Sequence, residues 1–463
     1  METYQIAVIG SGPAGEKAAI EAARLGAKVA IIEQGQEPGG AGVISGTMPS
    51  KSLRETVLYL DRLNNDRISG IERELGHKMT LRELMYRKDM VTALRVHKIR
   101  TQYKEAGVEL ILGKARLYGP HQIEIEQSNK PAIQIKADKI IIAVGTGPYH
   151  PPDVDFTKSK ILDSDKILDL PEIPKSLIVY GGGVIGSEYA SIFAKMSVPV
   201  TLVEPRGNLL DFLDPDLSSY LAQSLMANKV ELHLGESYKT ITADQNQVVV
   251  RLNSGDQLTA QYLLYANGRQ GHSADLGLEK LGVELNHRLQ IPVNNNYQTS
   301  LPHLYACGDI IGPPSLVSIS NEEGRMAARH AVLGEPGRRI TEAIPCAVYT
   351  LPELAMMGPT ETDLIKAGVD YLAGACLFTE LARGLILGVE EGLLKLLFER
   401  ETKKLLSVHI MGQGASELIH LGQAVIAFGG TIDYFVNSVL NFPSLTSAYK
   451  VAALNGLARQ SAV

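Results

Sequence analysis

Three glycines near the start of the chain have the spacing that lets a polypeptide bind the phosphates of a dinucleotide. Gly10, Gly12 and Gly15 follow the apolar run YQIAVI, which predicts a buried parallel strand, and they precede an alanine-rich stretch with helical periodicity. The first glycine makes the turn, the second lets the backbone approach a pyrophosphate, and the third lets the helix pack on the strand. Pro13 and Ala14 open the predicted helix, whose N–H groups and dipole favour an anion.

A carboxylate and a second glycine segment extend this pattern. Glu33 closes the next predicted strand, at a position where a carboxylate accepts hydrogen bonds from a ribose diol. The same strand, turn, helix and strand return at residues 176–203, so the chain repeats one βαβ unit. Such a repeat indicates two nucleotide-binding domains rather than a solenoid. The second fingerprint consists of Gly181, Gly183, Ile185 and Gly186.

Two residues after the repeat bear on which nucleotide it binds. Glu204 closes the second strand, where a carboxylate binds a 2′-hydroxyl and repels a 2′-phosphate, which predicts NAD(H). Arg206 follows two positions later, and a guanidinium binds phosphate well. The sequence leaves two interpretations of Arg206 open: a ligand for the 2′-phosphate of NADP(H), or a solvated loop arginine.

A third motif lies far along the chain, in the sequence Ala-Cys-Gly308-Asp309. A short strand that ends there places the Asp309 carboxylate at the carboxyl end of a sheet, where open α/β sheets bind ligands. Together with residues 141–147, which contain Gly145, these motifs resemble the flavoproteins with two dinucleotide-binding domains, the class I pyridine nucleotide-disulfide oxidoreductases. The resemblance implies FAD at the first fingerprint, with Asp309 on its ribityl chain, and NAD(P) at the second. Gly268 falls in the segment that returns between the two domains.

The resemblance implies an α/β fold with two Rossmann-like dinucleotide-binding domains and a C-terminal α+β dimerisation domain. The predicted limits are 1–150 with 272–340 for the FAD domain, 151–271 for the NAD(P) domain and 341–463 for the dimerisation domain. In the last of these, strand patterns suggest a meander, with helices at 415–428 and 444–458. Residues 52–107 predict long helices, and the alternation over 108–140 predicts antiparallel strands.

The redox motif of the family is present without its cysteines. The frame GGAGVISGTMPSK, which contains Gly40, has Gly42 and Thr47 where the family has its two cysteines. Neither residue forms a thiolate, so neither attacks a disulfide. Near the C terminus, Phe442 and Ser447 stand where the family has the histidine and glutamate that serve the leaving thiol. We therefore expect no disulfide chemistry.

Two charged residues of the family's flavin site are retained. Lys51 follows the redox motif, and Glu188 follows the second fingerprint. The resemblance implies an ion pair beside the flavin N5, and a cation there favours an electron-rich reduced flavin. We predict that Lys51 and Glu188 are catalytic, and that Thr47 and Lys51 also contact the cofactor.

Several stretches, such as GTMPSK and YKVAALNG, resemble one branch of the family, the soluble pyridine nucleotide transhydrogenases. The predicted function is Si-specific hydride transfer between NAD(P)H and NAD(P)+ through the flavin. Two alternatives remain: a diaphorase that passes electrons from NADH to a quinone or oxygen, and a non-catalytic redox sensor that binds FAD and nucleotide.

Composition limits the other classes of function. The chain has 463 residues and a formal net charge of −6. This acidic excess argues against a general nucleic-acid-binding protein, because such proteins usually have a basic excess. We expect no membrane span, a cytoplasmic location and a homodimer, with pyridine nucleotides as the other partners. The three cysteines lack metal-ligand spacing, and Glu417 with His420 predicts a dimer-face pair, so no metal is expected.

Overall fold

The first glycine segment lies in a turn of the largest sheet of the molecule. The structure is a computed structural model that describes residues 1–65, 80–335, 340 and 344–460. The strand order is β3-β2-β1-β6-β5-β4, and β17 adds to β6. Strands β1, β2, β3, β6 and β17 are mutually parallel where they pair. The bounds are β1 Glu2–Ile9, β2 Val29–Glu33, β3 Glu109–Leu112, β4 Lys114–Gly119, β5 Gln122–Glu126, β6 Ile133–Ile142 and β17 Leu304–Ala306.

The prediction of antiparallel strands over residues 108–140 is wrong in two places. Strand β3 pairs in parallel with β2, and β6 pairs in parallel with β1 while it is antiparallel to β5. The reason lies in the end of β6, where Ile140, Ile141 and Ile142 are fully buried. A continuous apolar run of this kind belongs in the middle of a parallel sheet that is covered on both faces.

The second glycine segment lies in a separate parallel sheet with the order β11-β10-β9-β15-β8. A three-stranded sheet, β12-β13-β14, packs beside it, and the pair β7 and β16 connects the two nucleotide-binding regions. The bounds are β7 Thr146–Pro148, β8 Ile161–Leu162, β9 Leu177–Tyr180, β10 Val200–Glu204, β11 Glu231–Leu234, β12 Tyr238–Ala243, β13 Val248–Leu252, β14 Gln257–Ala260, β15 Tyr262–Tyr265 and β16 Arg269–Gly271.

Helices follow the strands as the βαβ pattern requires. The long helices predicted over 52–107 are present as α3 and α4, and the part of that prediction at residues 66–79 lies outside the described residues. Helix α4 begins with a capping box between Thr80 and Glu83 and ends at Gly107, a left-handed residue. The bounds are α1 Pro13–Arg24, α2 Gly40–Val43, α3 Thr47–Asn65, α4 Leu81–Ala106, α5 Val184–Lys195, α6 Pro215–Ala227 and α7 Val317–Leu333.

The C-terminal region forms an antiparallel sheet with the order β18-β19-β22-β21-β20, and helices cover it. The consecutive pairing of β20, β21 and β22 confirms the predicted meander. The bounds are β18 Cys346–Val348, β19 Leu354–Met357, β20 Tyr371–Leu377, β21 Leu393–Glu399, β22 Leu405–Met411, α8 Glu361–Lys366, α9 Ala382–Leu387, α10 Ala415–Ala427, α11 Asp433–Asn437 and α12 Ser447–Gln460.

The predicted fold class is confirmed: a mixed sheet and a parallel sheet, each with a glycine turn, precede an α+β region. The limits proposed for the domains at residues 150, 271 and 340 stay predictions. No helix in the described part of the chain is long and apolar enough to cross a membrane.

A buried histidine lies where the C-terminal sheet meets the second nucleotide-binding region. His409 on β22 is fully buried, and its Nε2 lies 3.2 Å from the Pro359 carbonyl oxygen while its Nδ1 has no partner. This arrangement holds the neutral ring with Nε2 as donor. Burial lowers the pKa of His409 to about 4, and the opposing charges of Asp214 and Lys395 are secondary.

We expect acid to destabilise the fold through His409. The unfolded histidine takes up a proton near pH 6.5, whereas the folded one does so only near pH 4. The stability contributed by the neutral ring is therefore complete above pH 6.5, and about 2 kcal/mol is lost by pH 5. Urea midpoints at pH 7 and pH 5 measure this loss. His409→Gln keeps an N–H donor and should show a smaller drop; an equal drop in both proteins would contradict the prediction.

Candidate functional site

A large cavity lies between the two nucleotide-binding regions and the C-terminal region. Its volume is about 1340 Å³, and residues of both nucleotide-binding regions and of the C-terminal region line it. The predicted site residues on its wall are Gly10, Gly12, Pro13, Ala14, Glu33, Gly40, Thr47, Lys51, Gly145, Ile185, Glu188, Gly308 and Asp309. The predicted residues outside its wall are Gly15, Gly181, Gly183, Gly186, Glu204, Arg206 and Gly268.

The two glycine turns have the same steric requirements. Gly10 and Gly181 have φ angles of +98° and +109°, in the left-handed region that favours glycine. A Cβ on Gly15 would stand 1.9 Å from the Gly10 carbonyl oxygen, and one on Gly186 would stand 1.8 Å from the Gly181 oxygen. In both repeats, the turn and the helix can therefore lie in contact only when these positions are glycine.

The middle glycine of each turn has a different role. A Cβ on Gly12 would meet only the Gly40 Cα, at 3.9 Å, and one on Gly183 would meet no protein atom within 4 Å. The space in front of both residues is open, at the N termini of α1 and α5. Such a cradle of bare backbone and helix N terminus fits the pyrophosphate of a dinucleotide. The residues present therefore fit FAD in the first turn and a nicotinamide nucleotide in the second.

Glu33 is the last residue of β2 and lies next to the first glycine turn. Its carboxylate accepts hydrogen bonds from the backbone N–H of Ser11, at 3.0 Å, and of Gly35, at 2.7 Å, and it is 9% exposed. Because these N–H groups fix it at the cavity wall, it is oriented to accept from a ribose diol.

Asp309 is held at the cavity wall by a chain of hydrogen bonds. Thr146 Oγ1 donates to its carboxylate at 3.4 Å, and Ser320 Oγ donates at 3.3 Å. Arg269 Nε in turn donates to Thr146 Oγ1 at 2.8 Å. Gly308 precedes it with a φ of +79°, and its N–H donates to a carboxylate oxygen of Glu323. The connecting strands β7 and β16 thus position the carboxylate of the third motif.

The ion pair between Lys51 and Glu188 is present. Lys51 Nζ lies 2.6 Å from a Glu188 oxygen, and the other Glu188 oxygen accepts the Tyr349 backbone N–H at 2.9 Å. Both residues line the cavity, and the side chain of Glu188 is 5% exposed while that of Lys51 is 25% exposed. Sequence reasoning missed Tyr349, because a backbone donor leaves no signal in the residue type.

A side chain at Gly42, the position that corresponds to the family's first cysteine, would require its neighbours to shift. A Cβ on Gly42 would stand 2.8 Å from Cγ of Pro13, at the start of α1. Thr47 begins α3 and lines the cavity without any thiol. Of the C-terminal replacements, Phe442 is 76% exposed and Ser447 begins α12.

The three cysteines are all unpaired, and two of them line the cavity, which sequence reasoning did not anticipate. Burial raises the pKa of the Cys307 thiol, with Glu323 adding to the effect, and burial with Glu188 raises that of Cys346. Burial likewise raises the pKa of Cys376 to about 12. Because none is a thiolate near neutral pH, none is poised as a substitute nucleophile.

Two further residues of the wall were not predicted to belong to the site, although His420 was predicted to form a dimer-face pair with Glu417. His420 lies at the cavity as well as on the exposed face of α10, and its Nδ1 contacts Gln423 at 2.8 Å. Asp165 lies on the wall in a loop without a recognisable motif, and burial raises its pKa although Arg269 and Ser45 oppose the effect.

Glu204 and Arg206 form one unit beside the second turn. Glu204 Oε1 lies 2.8 Å from both the backbone N and the Nε of Arg206, and Oε2 accepts from the Gly182 N–H. The Arg206 guanidinium also pairs with Asp211. Arg206 lies in a loop and its side chain is 46% exposed, so both interpretations of this residue stay open.

A cluster of three carboxylates also occurs in the described residues, and it is a structural ion network. The oxygens of Asp214, Asp216 and Glu361 lie within 4.8 Å of one another. Lys395 Nζ contacts all three, at 2.8, 2.7 and 2.6 Å, and its side chain is 3% exposed. The Lys395 ammonium therefore occupies the position between the three carboxylates that a metal ion would otherwise take.

Comparison with known proteins agrees with this geometry. Residues 4–332 match the family model described as pyridine nucleotide-disulphide oxidoreductase, and residues 344–453 match its dimerisation domain. A soluble pyridine nucleotide transhydrogenase from Mycobacterium bovis is 43% identical over 100% of this chain and 99% of its own length. One from Klebsiella pneumoniae is 42% identical over 98% of each.

Solved structures give the same result. LpdA from Mycobacterium tuberculosis has a TM-score of 0.89 at 26% identity and covers 98% of this chain and 99% of its own. The HOCl-induced flavoprotein disulfide reductase RclA from Escherichia coli has a TM-score of 0.88 at 25% identity, over 97% and 99% of the two chains. The chain belongs to the pyridine nucleotide-disulphide oxidoreductase family, in its soluble pyridine nucleotide transhydrogenase branch.

Proposed function

We propose that the chain is an FAD-dependent transhydrogenase of the Si-specific type, which transfers hydride between NAD(P)H and NAD(P)+ without disulfide chemistry. The observation that carries the proposal is the division between retained and replaced residues. The Lys51–Glu188 pair and both glycine turns are intact, whereas glycine, threonine and phenylalanine stand at Gly42, Thr47 and Phe442. The curated relatives with full-length similarity are named soluble pyridine nucleotide transhydrogenases.

The roles of the residues follow from their contacts. A bound FAD supplies two-electron hydride chemistry, which amino-acid side chains lack. The first turn holds its pyrophosphate, Glu33 its ribose and Asp309 its ribityl chain. Lys51 places a positive charge at the cavity wall, where it stabilises negative charge that develops on reduction. Glu188 fixes the ammonium, and the Tyr349 N–H fixes Glu188.

The second turn holds the nicotinamide nucleotide against the same cavity. Ile185 of α5 lines the wall one helical turn from Glu188, so the helix that binds the nucleotide also carries the anchor of Lys51. Gly42 and Thr47 replace the two cysteines of the family's redox motif, so this motif cannot accept electrons from the flavin. Oxidised nucleotide in the same site is the acceptor that requires no further residue.

The decisive experiment is anaerobic incubation of the holoenzyme with NADPH and thio-NAD+. A transhydrogenase makes reduced thio-NAD without any external acceptor, at a rate proportional to enzyme. Flavin bleaching by either donor, followed by reoxidation with each oxidised nucleotide, separates the half-reactions. Turnover only with a quinone or oxygen would favour the diaphorase, and negligible turnover with every acceptor would favour the redox sensor.

We further propose a cytoplasmic homodimer. The C-terminal region matches a dimerisation domain and exposes large apolar side chains: Phe428 is 91%, Val439 99% and Phe442 76% exposed. Because the family's dimerisation domain and these exposed apolar side chains fall in the same region, we place the contact between subunits there. Sedimentation at equilibrium tests the dimer, and a monomer at micromolar concentration would contradict it.

The two middle glycines allow the sites to be separated. Gly12→Ala adds a methyl group that meets no protein closer than 3.9 Å, so the fold tolerates it, but the methyl enters the space proposed for the FAD pyrophosphate. We expect FAD affinity to fall about tenfold or more, the order of 1.4 kcal/mol. Gly183→Ala should spare FAD and raise the KM for nicotinamide nucleotide. Flavin content and steady-state kinetics measure both, and identical effects of the two variants would contradict the assignment.

A further inference from the structure

Arg206 is held by two carboxylates of unequal burial. Its Nε and Nη2 donate to the two oxygens of Glu204, at 2.8 and 3.2 Å, which is the bidentate geometry of guanidinium and carboxylate. Its Nη1 donates to Asp211 on the other side. The Glu204 side chain is 2% exposed, whereas Arg206 is 46% and Asp211 51% exposed. Glu204 is thus the fixed partner and Asp211 the exchangeable one.

The Glu204 carboxylate has little capacity left for a ribose hydroxyl. It accepts hydrogen bonds from the N–H of Gly182, the N–H of Arg206 and two guanidinium nitrogens. These donors satisfy the ordinary capacity of a carboxylate, about four lone-pair sites. Burial raises the pKa of Glu204, but the hydrogen bonds from Arg206 and Gly182 prevail and hold it below its ordinary value. Glu204 therefore stays ionised and serves to orient Arg206.

The Arg206 guanidinium has N–H donors that neither carboxylate uses and that a ligand could accept from. Of about five N–H donors in an arginine side chain, three are used by Glu204 and Asp211. The Arg206 side chain is 46% exposed, and the residue lies just past the end of β10, whose last residue Glu204 contacts the second glycine turn. In a βαβ nucleotide site the adenosine ribose lies at the end of this strand, so its 2′ position comes next to Arg206.

We propose that Asp211 is a specificity-determining residue that competes with the 2′-phosphate of NADP(H) for Arg206. When the nucleotide carries a 2′-hydroxyl, Arg206 stays paired with Asp211. When it carries a 2′-phosphate, the phosphate takes Nη1, and Asp211 turns to solvent but still repels the dianion. The inference rests on the proposed function, because it explains how a single site serves both nucleotides of that reaction.

The exchange costs little because the pair that breaks is exposed. An ion pair between half-exposed side chains contributes about 0–1 kcal/mol, whereas the buried fork to Glu204 keeps the guanidinium in place. Asp211 therefore lowers the affinity for NADP(H) without preventing binding. The site gains similar affinities for two ligands that differ by a doubly charged group.

The test uses ligands that contain no nicotinamide, namely 2′,5′-ADP and 5′-AMP, titrated by calorimetry into the FAD-loaded protein. Asp211→Asn should tighten 2′,5′-ADP about threefold to fivefold, the size of an exposed charge pair, and leave 5′-AMP unchanged. Arg206→Gln should weaken 2′,5′-ADP about tenfold or more and spare 5′-AMP. Asp256→Asn makes the same charge change in the exposed turn between β13 and β14 and should change neither.

Each alternative outcome overturns the proposal. Equal shifts for the two ligands in Asp211→Asn, or an equal effect of Asp256→Asn, would show only general electrostatics. Unchanged 2′,5′-ADP binding in Arg206→Gln would remove the arginine from the site. Because binding of these ligands requires no hydride transfer, the result stands apart from turnover: a protein that discriminates them as expected and fails the thio-NAD+ assay contradicts the proposed function alone.

Discussion

Lys51→Ala is expected to slow flavin reduction by about 100-fold while the protein keeps its FAD. Lys51 carries the positive charge of the pair and lines the cavity, and removal of a preorganised donor of this kind costs about two to three orders of magnitude in rate. The residues proposed to hold FAD are the glycine turn, Glu33 and Asp309, whereas the Lys51 ammonium contacts Ser50 and Glu188. Stopped-flow bleaching with NADH and NADPH under argon measures the rate, and the ratio of flavin to protein absorbance measures retention.

Lys195→Ala is the matched control. Lys195 ends α5, the helix that carries Glu188, and pairs with Asp61 at 3.6 Å; its side chain is 24% exposed, against 25% for Lys51. It lies outside the cavity wall and should leave the bleaching rate unchanged. Glu188→Gln should give a smaller fall than Lys51→Ala, because the amide still accepts the Tyr349 N–H. Bleaching of Lys51→Ala at the wild-type rate would remove Lys51 from the mechanism.

The parts of the site that the sequence predicts are those fixed by local sterics. The turn at Gly10 needs a φ of +98°, and the helix contact at Gly15 excludes any Cβ, so the residue types record the geometry directly. The same holds for the repeat at Gly181 and Gly186. Because the constraint acts within a few residues, spacing in the sequence is sufficient to recognise it.

The parts that the sequence could not predict depend on distant backbone or on strand pairing. Tyr349 anchors Glu188 through its N–H, which every residue except proline possesses. The parallel pairing of β3 depends on β2, from which it is separated by α3 and α4. Arg206 illustrates a third reason: its partner Asp211 is near in sequence, but exposed charges carry no periodic pattern that would reveal the pairing.

A buried cation, Lys395, lies at the interface between the second nucleotide-binding region and the C-terminal sheet, beside a shared hydrophobic cluster. Lys395 of β21 binds Asp214 and Asp216 at the start of α6 and Glu361 at the start of α8. Burial alone would lower the pKa of Lys395, but hydrogen bonds to the three carboxylates raise it above its ordinary value, so the ammonium stays charged. Asp214 is fully buried, and its other oxygen accepts the Glu361 N–H at 3.2 Å.

Lys395→Met is therefore expected to destabilise the protein by about 3–5 kcal/mol, because it leaves the buried Asp214 carboxylate without its cation. Methionine fills nearly the same volume, so the loss reports charge rather than a cavity. Lys403→Met, which breaks a half-exposed pair with Asp433 at 3.4 Å, should cost less than about 1 kcal/mol. Adding Asp214→Asn to Lys395→Met should recover part of the loss, because the uncompensated charge is then removed. Thermal unfolding of the holoenzyme measures all four proteins; equal midpoints for the two lysine variants would contradict the role of the network, since only one of the two lysines is buried.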